Sequence, residues 1–225
     1  IPRPSSSSAT PTASSANAST AVSATASSPP PPSGGSENTQ TTEKMEGFLK
    51  ISGDYTSWSV YRKSVIICDV TEMFIDRALP KGSRTIDQMR QAARSCKQNI
   101  VEGVSDGTIS TEMCIKLIGV ARGSVRELRE DYTDFLRQRK YEIWPKDDPR
   151  ILSVRNYSRN HYDARAYVEK CEIRSDETVA NIMLTLIHQM DSMLAKVLKA
   201  LEAQFLTEGG LKEAMSKARR NHRGY

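Results

Sequence analysis

The sequence predicts an all-α protein: an antiparallel up-down four-helix bundle with a C-terminal helical extension, preceded by a disordered N-terminal linker. Three observations lead there. Apolar residues recur at spacings of three and four over four long stretches between about residue 55 and residue 206. Glycines, prolines and capping residues separate those stretches. Residues 4–36 carry no charged side chain, are mostly Ser, Ala, Thr and Pro, and end in Pro29-Pro30-Pro31-Pro32-Ser33-Gly34-Gly35.

Residues 1–45 have too little apolar surface to offset the entropy of ordering, so they read as a Ser/Ala/Thr/Pro-rich linker, partly polyproline-like. No charged segment precedes an apolar one there, so no signal peptide is expected, and no run approaches the length of a membrane span. Setting aside Arg3, Lys44, Glu37 and Glu43, the formal charge of +5 belongs to residues 46–225, which suit one domain. That excess is compatible with a polyanionic partner and equally with plain solubility.

The first helix is expected over residues 55–79, with Val60, Ile66, Ile67, Val70, Met73 and Phe74 on its apolar side and Pro80 and Gly82 ending it. The second opens at Thr85-Ile86-Asp87-Gln88, which matches a capping box, and carries a seam of Ile86, Met89, Ala93, Cys96 and Ile100. Gly103 is expected to end it in the left-handed conformation. The third helix, 110–140, has two adjacent stripes: Leu117, Ala121, Leu128 and Phe135 beside Ile118, Val125 and Tyr132. These three helices make up residues 46–140.

Residues 141–174 are too long for a simple bundle loop, so short helical pieces are expected near 151–156 and 164–170. From residue 137 to 174 ten Lys or Arg face six Asp or Glu. The fourth helix, 175–206, is capped by Ser175 with Asp176 and Glu177 in its first turn, and its apolar face is again broad. The breadth of the faces on the third and fourth helices favours an oligomer. Residues 207–225 form a basic tail that starts as a short helix and frays.

Catalytic signatures are missing: there is no GxSxG, HExxH, phosphate-cradling Gly-rich loop or opposed carboxylate pair. Cys68, Cys96, Cys114 and Cys171 form no CxxC pair, and His161, His188 and His222 are scattered, so no metal, cofactor or disulfide is expected. Unpaired, apolar-side cysteines suit a reducing, cytoplasmic setting. The expectation is therefore a protein that binds rather than catalyses.

Two arginine-rich trios are the candidate nucleic-acid contacts. Arg90, Arg94 and Lys97 share one face of the second helix, and Arg122, Arg126 and Arg129 share one face of the third. Glu127, Glu130, Asp131 and Asp134 lie among the latter, so an ordinary salt-bridged surface is the competing reading. Lys217, Arg219 and Arg220 in the tail, with Lys212 and Arg223 nearby, complete the basic set. Aromatic stacking platforms look sparse, which argues against sequence-specific reading of single strands.

A helix-joining role is assigned to Asn99, Glu102 and Gly103. Gln88, Ala92, Ser95, Asn99 and Gly103 form a small, polar edge where another helix can come close. Glu102 is badly placed for the dipole of its own helix and well placed to accept from free N–H groups near Ser110, Thr111 and Glu112.

The succession Arg84-Thr85-Ile86-Asp87-Gln88-Met89, Gln98-Asn99-Ile100-Val101-Glu102-Gly103 and Ile115-Lys116-Leu117-Ile118-Gly119-Val120-Ala121-Arg122-Gly123-Ser124 resembles the bacterial four-helix-bundle proteins. Their founding members are encoded in intervening sequences of large-subunit ribosomal RNA genes. With Asp131-Tyr132, Asp134-Phe135-Leu136-Arg137, Asp148-Pro149-Arg150 and Ile187-His188-Gln189, the chain is similar to the branch with a four-helix-bundle suffix domain. The wider group includes the accessory variability determinant of diversity-generating retroelements, a homopentamer that binds nucleic acid and a reverse transcriptase. The resemblance thus implies a homopentamer with RNA or DNA, and a reverse transcriptase, as partners. A protein-interaction scaffold or adaptor without intrinsic nucleic-acid binding is the alternative.

Overall fold

The computed structural model describes residues 55–107 and 110–223, and among them it contains seven α-helices and no strand. The expected linker, 1–45, lies outside the described residues. After a short 3-10 turn (Tyr55–Ser57), α1 runs over Ser59–Ala78, α2 over Arg84–Gly107 and α3 over Thr111–Gln138. Two short helices follow, α4 (Pro149–Tyr157) and α5 (Ala164–Glu172), then α6 (Asp176–Glu208) and α7 (Leu211–Arg223). No helix among the described residues is long and apolar enough to cross a membrane.

The long helices pack in neighbouring pairs: α1 on α2, α2 on α3, α3 on α6, and α6 back on α1. Specific contacts give the directions. Cys68 Sγ donates to the Ala93 carbonyl while Arg90 reaches Glu72, so α1 and α2 run antiparallel. Ser95 meets Ser124 and Gly103 meets Leu117 and Ile118, so α2 and α3 do the same. Lys63 meets Gln189 and Arg77 meets Asp176, which sets α1 antiparallel to α6. The periodic apolar positions form one core, with Ile66, Phe74, Met89, Ile100, Leu128, Tyr132 and Leu186 fully enclosed. The Tyr132 hydroxyl lies 3.1 Å from Thr71 Oγ1, which satisfies the one polar atom its ring carries inward.

The breadth of the α6 face has an internal explanation. α5 packs on α1 and α4 packs on α6, so extra apolar width is covered within the chain. Both short helices are locally encoded. Asp148 caps α4, accepting from Arg150 N at 2.8 Å with Pro149 in the first turn, and Asp163 caps α5, accepting from Arg165 N at 3.0 Å.

Three local expectations are corrected. The capping residue before α2 is Ser83, whose Oγ accepts from Thr85 N at 3.3 Å; the turn at Pro80 and Gly82 (φ +83°) delivers the chain two residues earlier than Thr85. Thr85 itself lies in the first turn of the helix. Gly103 does not end α2, which continues to Gly107. Its missing side chain serves the packing, because a Cβ there would come within 3.3 Å of Leu117 Cβ. Glu102 stays exposed and accepts from Gln98 on its own helix, while Ser110 caps α3 through Met113 N at 3.3 Å. Asn99 donates back to the Ser95 carbonyl at 2.8 Å and to Ser95 Oγ at 3.2 Å, steadying the hydroxyl that meets Ser124 at 2.9 Å.

Candidate nucleic-acid interface

The helix spacing does place the cationic trios on common faces, but neighbouring helices supply carboxylates to several of them. Arg90 sits 2.7 Å from Glu72, 3.7 Å from Asp76 and 3.5 Å from Asp87. It acts as a strut between α1 and α2. Arg94, which is exposed, and Lys97, which is half-buried, have no ion-pair partner among the described residues. On α3, Arg122 and Arg126 converge on Asp191 of α6 at 2.8 and 2.9 Å. The hydrogen bond from Arg122, more than that from Arg126, holds the Asp191 carboxyl below the usual carboxylate range. Arg129 pairs with Glu130 at 2.7 Å. Two arginines on one carboxylate leave one positive charge in excess, on the more exposed Arg126.

The tail behaves differently. α7 bears Lys212, Lys217, Arg219, Arg220 and Arg223, all exposed and none ion-paired among the described residues. Its one acid, Glu213, accepts from Gly210 N at 2.9 Å and so closes the corner between α6 and α7. Lys212, Ser216, Arg219 and Arg223 repeat at helical spacing and line one groove together with Met215 and Arg220. Such a surface can make several phosphate contacts at little desolvation cost.

A second basic surface was not foreseen. Between α4, α5 and the start of α6 lies a cleft of about 610 Å³. Its apolar lining includes Val154, Cys171 and Ile182, and its aromatic lining is Trp144, Tyr157 and Tyr167. Arg150 lies 4.3 Å over the Trp144 ring and Lys170 lies 5.4 Å over the Tyr157 ring. Arg150 is partly neutralised by Asp148 at 2.6 Å and Glu142 at 3.4 Å. Lys170 and Arg174 have no carboxylate partner among the described residues, although Arg174 donates to the Lys170 carbonyl. The connection is held to α6 by Asn181, which accepts from Trp144 N at 2.9 Å and donates to the Glu142 carbonyl at 2.9 Å. Sequence offered the basic excess and the two short helices, but the aromatics are scattered from Trp144 to Tyr167 and only the fold gathers them.

Opposite charge collects in the groove between α2 and α3, lined by Asp87, Glu127, Glu130 and Asp131. Burial, reinforced by Asp134, Glu127 and Glu130, pushes the Asp131 carboxyl up to about 6. All four cysteines are buried, and burial raises the thiols of Cys68, Cys96 and Cys171, which makes them poor nucleophiles. Among the described residues no group of His, Cys, Asp or Glu is arranged to hold a metal ion. No protein-family model, no curated protein and no solved structure matches this chain.

Proposed function

We propose that the chain is a non-enzymatic, oligomeric nucleic-acid-binding protein that grips phosphates chiefly through α7, with Arg94 and Lys97 as secondary contacts. The observation that carries this reading is the set of five exposed cations on α7 with no ion-pair partner among the described residues, set against the carboxylate-bound arginines of α2 and α3. The pairwise antiparallel packing supports reading the four long helices as an up-down four-helix bundle, with α4 and α5 inserted and α7 as the extension. RNA and DNA both fit the chemistry, and a cytoplasmic location suits the reduced cysteines.

Self-association has its own support. Gly119 and Gly123 lie four apart on the exposed side of α3, and a Cβ at either would meet nothing within 4 Å in the chain. Mid-helix glycine costs roughly 0.5–1 kcal/mol relative to alanine, so two of them without internal contacts favour close approach by another copy. We take that copy to be part of a homo-oligomer, with the pentamer as the expected number. A scaffold docking a protein such as a reverse transcriptase on the same face is the second reading, favoured by exposed Met113 and Val120 beside those glycines.

The test is binding of a duplex and of a single strand as salt is varied. Replacing Lys217, Arg219 and Arg220 together by alanine is expected to flatten the slope of log affinity on log salt by about 2–3. An unchanged slope, or no binding at low salt, would sink the proposal. A partner captured after nuclease treatment would favour the scaffold.

A further inference from the structure

The cleft framed by α4, α5 and the start of α6 contains none of the cations expected to contact nucleic acid. We propose that it binds one nucleotide unit, an aromatic base joined to a phosphate, supplied as a free mononucleotide or as the unpaired end of a strand. This assignment rests on the nucleic-acid reading of the chain and names a place for the part of the ligand that α7 cannot read.

Size, lining and charge each narrow the ligand. About 610 Å³ falls within the range of small-molecule sites. Three aromatic side chains line the cleft, Trp144 and Tyr167 buried and Tyr157 half-buried, and Tyr157 and Tyr167 meet edge to face at 5.4 Å. Arg150 lies over Trp144, and Lys170 and the stacked His161 lie over Tyr157, so an incoming base stacks on the exposed Arg150 guanidinium or takes the place of Lys170 on Tyr157. Among the described residues no acidic side chain lines the cleft, while Lys170 and Arg174 supply two exposed cations without carboxylate partners. A purely apolar ligand would leave those cations idle. Inorganic phosphate would leave the aromatics idle, and an aliphatic carboxylate would not stack. One molecule carrying both a ring and a phosphate uses the whole lining.

The cleft is also positioned rather than adaptable. Arg77 donates to the Glu172 carbonyl at 3.0 Å and pairs with Asp176 at 2.7 Å, which fixes the corner that carries Arg174. His161 stacks on Tyr157 with ring centres 4.0 Å apart and holds that ring in place. Preorganised side chains lower the ordering cost of binding.

The experiment titrates the full chain with adenosine 5′-monophosphate, adenosine, inorganic phosphate, a short single strand and a blunt duplex, following heat or tryptophan fluorescence. The mononucleotide is expected to bind about tenfold or more tightly than adenosine or phosphate alone, since each half of the cleft adds its own contacts. Lys170→Ala with Arg174→Ala should weaken it about tenfold with an unchanged melting temperature, and Lys170→Glu with Arg174→Glu should weaken it further. Displacement of the mononucleotide by the single strand identifies a strand end as ligand; failure of displacement identifies the free mononucleotide. The assignment is overturned if the mononucleotide does not bind, binds no better than phosphate, or binds the variants equally well. Strand and duplex binding that persists in that case leaves the nucleic-acid reading standing. Loss of both strand and duplex binding in the unaltered chain removes that reading, and the mononucleotide titration then judges the cleft alone.

Discussion

Lys63 and Asp131 are two side chains whose charge the fold disfavours, in opposite senses. Lys63 is buried, donates to Gln189 Oε1 at 2.8 Å and to the Ser158 carbonyl at 3.3 Å, and faces the Tyr162 ring at 5.8 Å without a carboxylate. Burial brings its amine down from 10.5 to about 8. Between those values the unfolded chain holds a proton that the folded chain has released, so stability should rise with pH across that window. Unfolding free energies from urea melts of the unaltered chain and Lys63→Met, compared at each pH, should shift by roughly 1–3 kcal/mol in favour of the unaltered chain as pH rises across it. Asp131 works the other way: its folded value of about 6 lies above the usual 3.8, so stability should fall as pH rises between them. Asp131→Asn should therefore stabilise the chain at neutral pH by about 1–2 kcal/mol, with the gain vanishing in acid; an unchanged melting temperature at pH 7 would count against it. At this scale the sequence was legible where a side chain's role depends on near neighbours, as with the cap at Ser175. It was opaque where the partner lies on another helix. Asp191 is 69 residues from Arg122, and Leu117 decides what Gly103 is for.

Helix type and approximate extent could be read for all four long helices because each carries enough apolar periodicity to outweigh a single glycine. Gly103 was overestimated as a stop signal; it lies in the interior of α2 because close packing on α3 compensates its low helix propensity. Gly119 and Gly123 invert that situation, having no neighbour to compensate them. Replacing both by alanine should raise the stability of the isolated subunit by about 1–2 kcal/mol through propensity alone. If another copy packs there, the same change should also lower the mass in solution. Light scattering and thermal melts on one preparation separate the two effects, and a destabilised chain of unchanged mass would contradict both. α4 and α5 were foreseen as pieces because the connection is too long for a simple bundle loop, whereas the cleft they build depends on where α6 receives them.

For the molecule as a whole, the all-α architecture followed from periodicity, and the distribution of charge did not. The formal excess of +5 is spread over the sequence, yet folding neutralises Arg90 on α2 and much of α3, leaves α7 bare and gathers acid between α2 and α3. Titrations at several salt concentrations should therefore report the tail far more than the body of the protein.

The α4–α5 segment is tied to the long helices by Lys63 to Ser158, Arg77 to Glu172 and Asn181 to Trp144, and by apolar packing of Tyr167 and Cys171 on the core. Short supersecondary pieces of this kind open locally as cooperative units. Amide hydrogen exchange should consequently find α4 and α5 opening as one cooperative unit, at a lower free energy than α2 and α3. A bound ligand in the cleft would then slow that opening, so the time a strand stays attached and the time the segment stays closed would be one and the same clock.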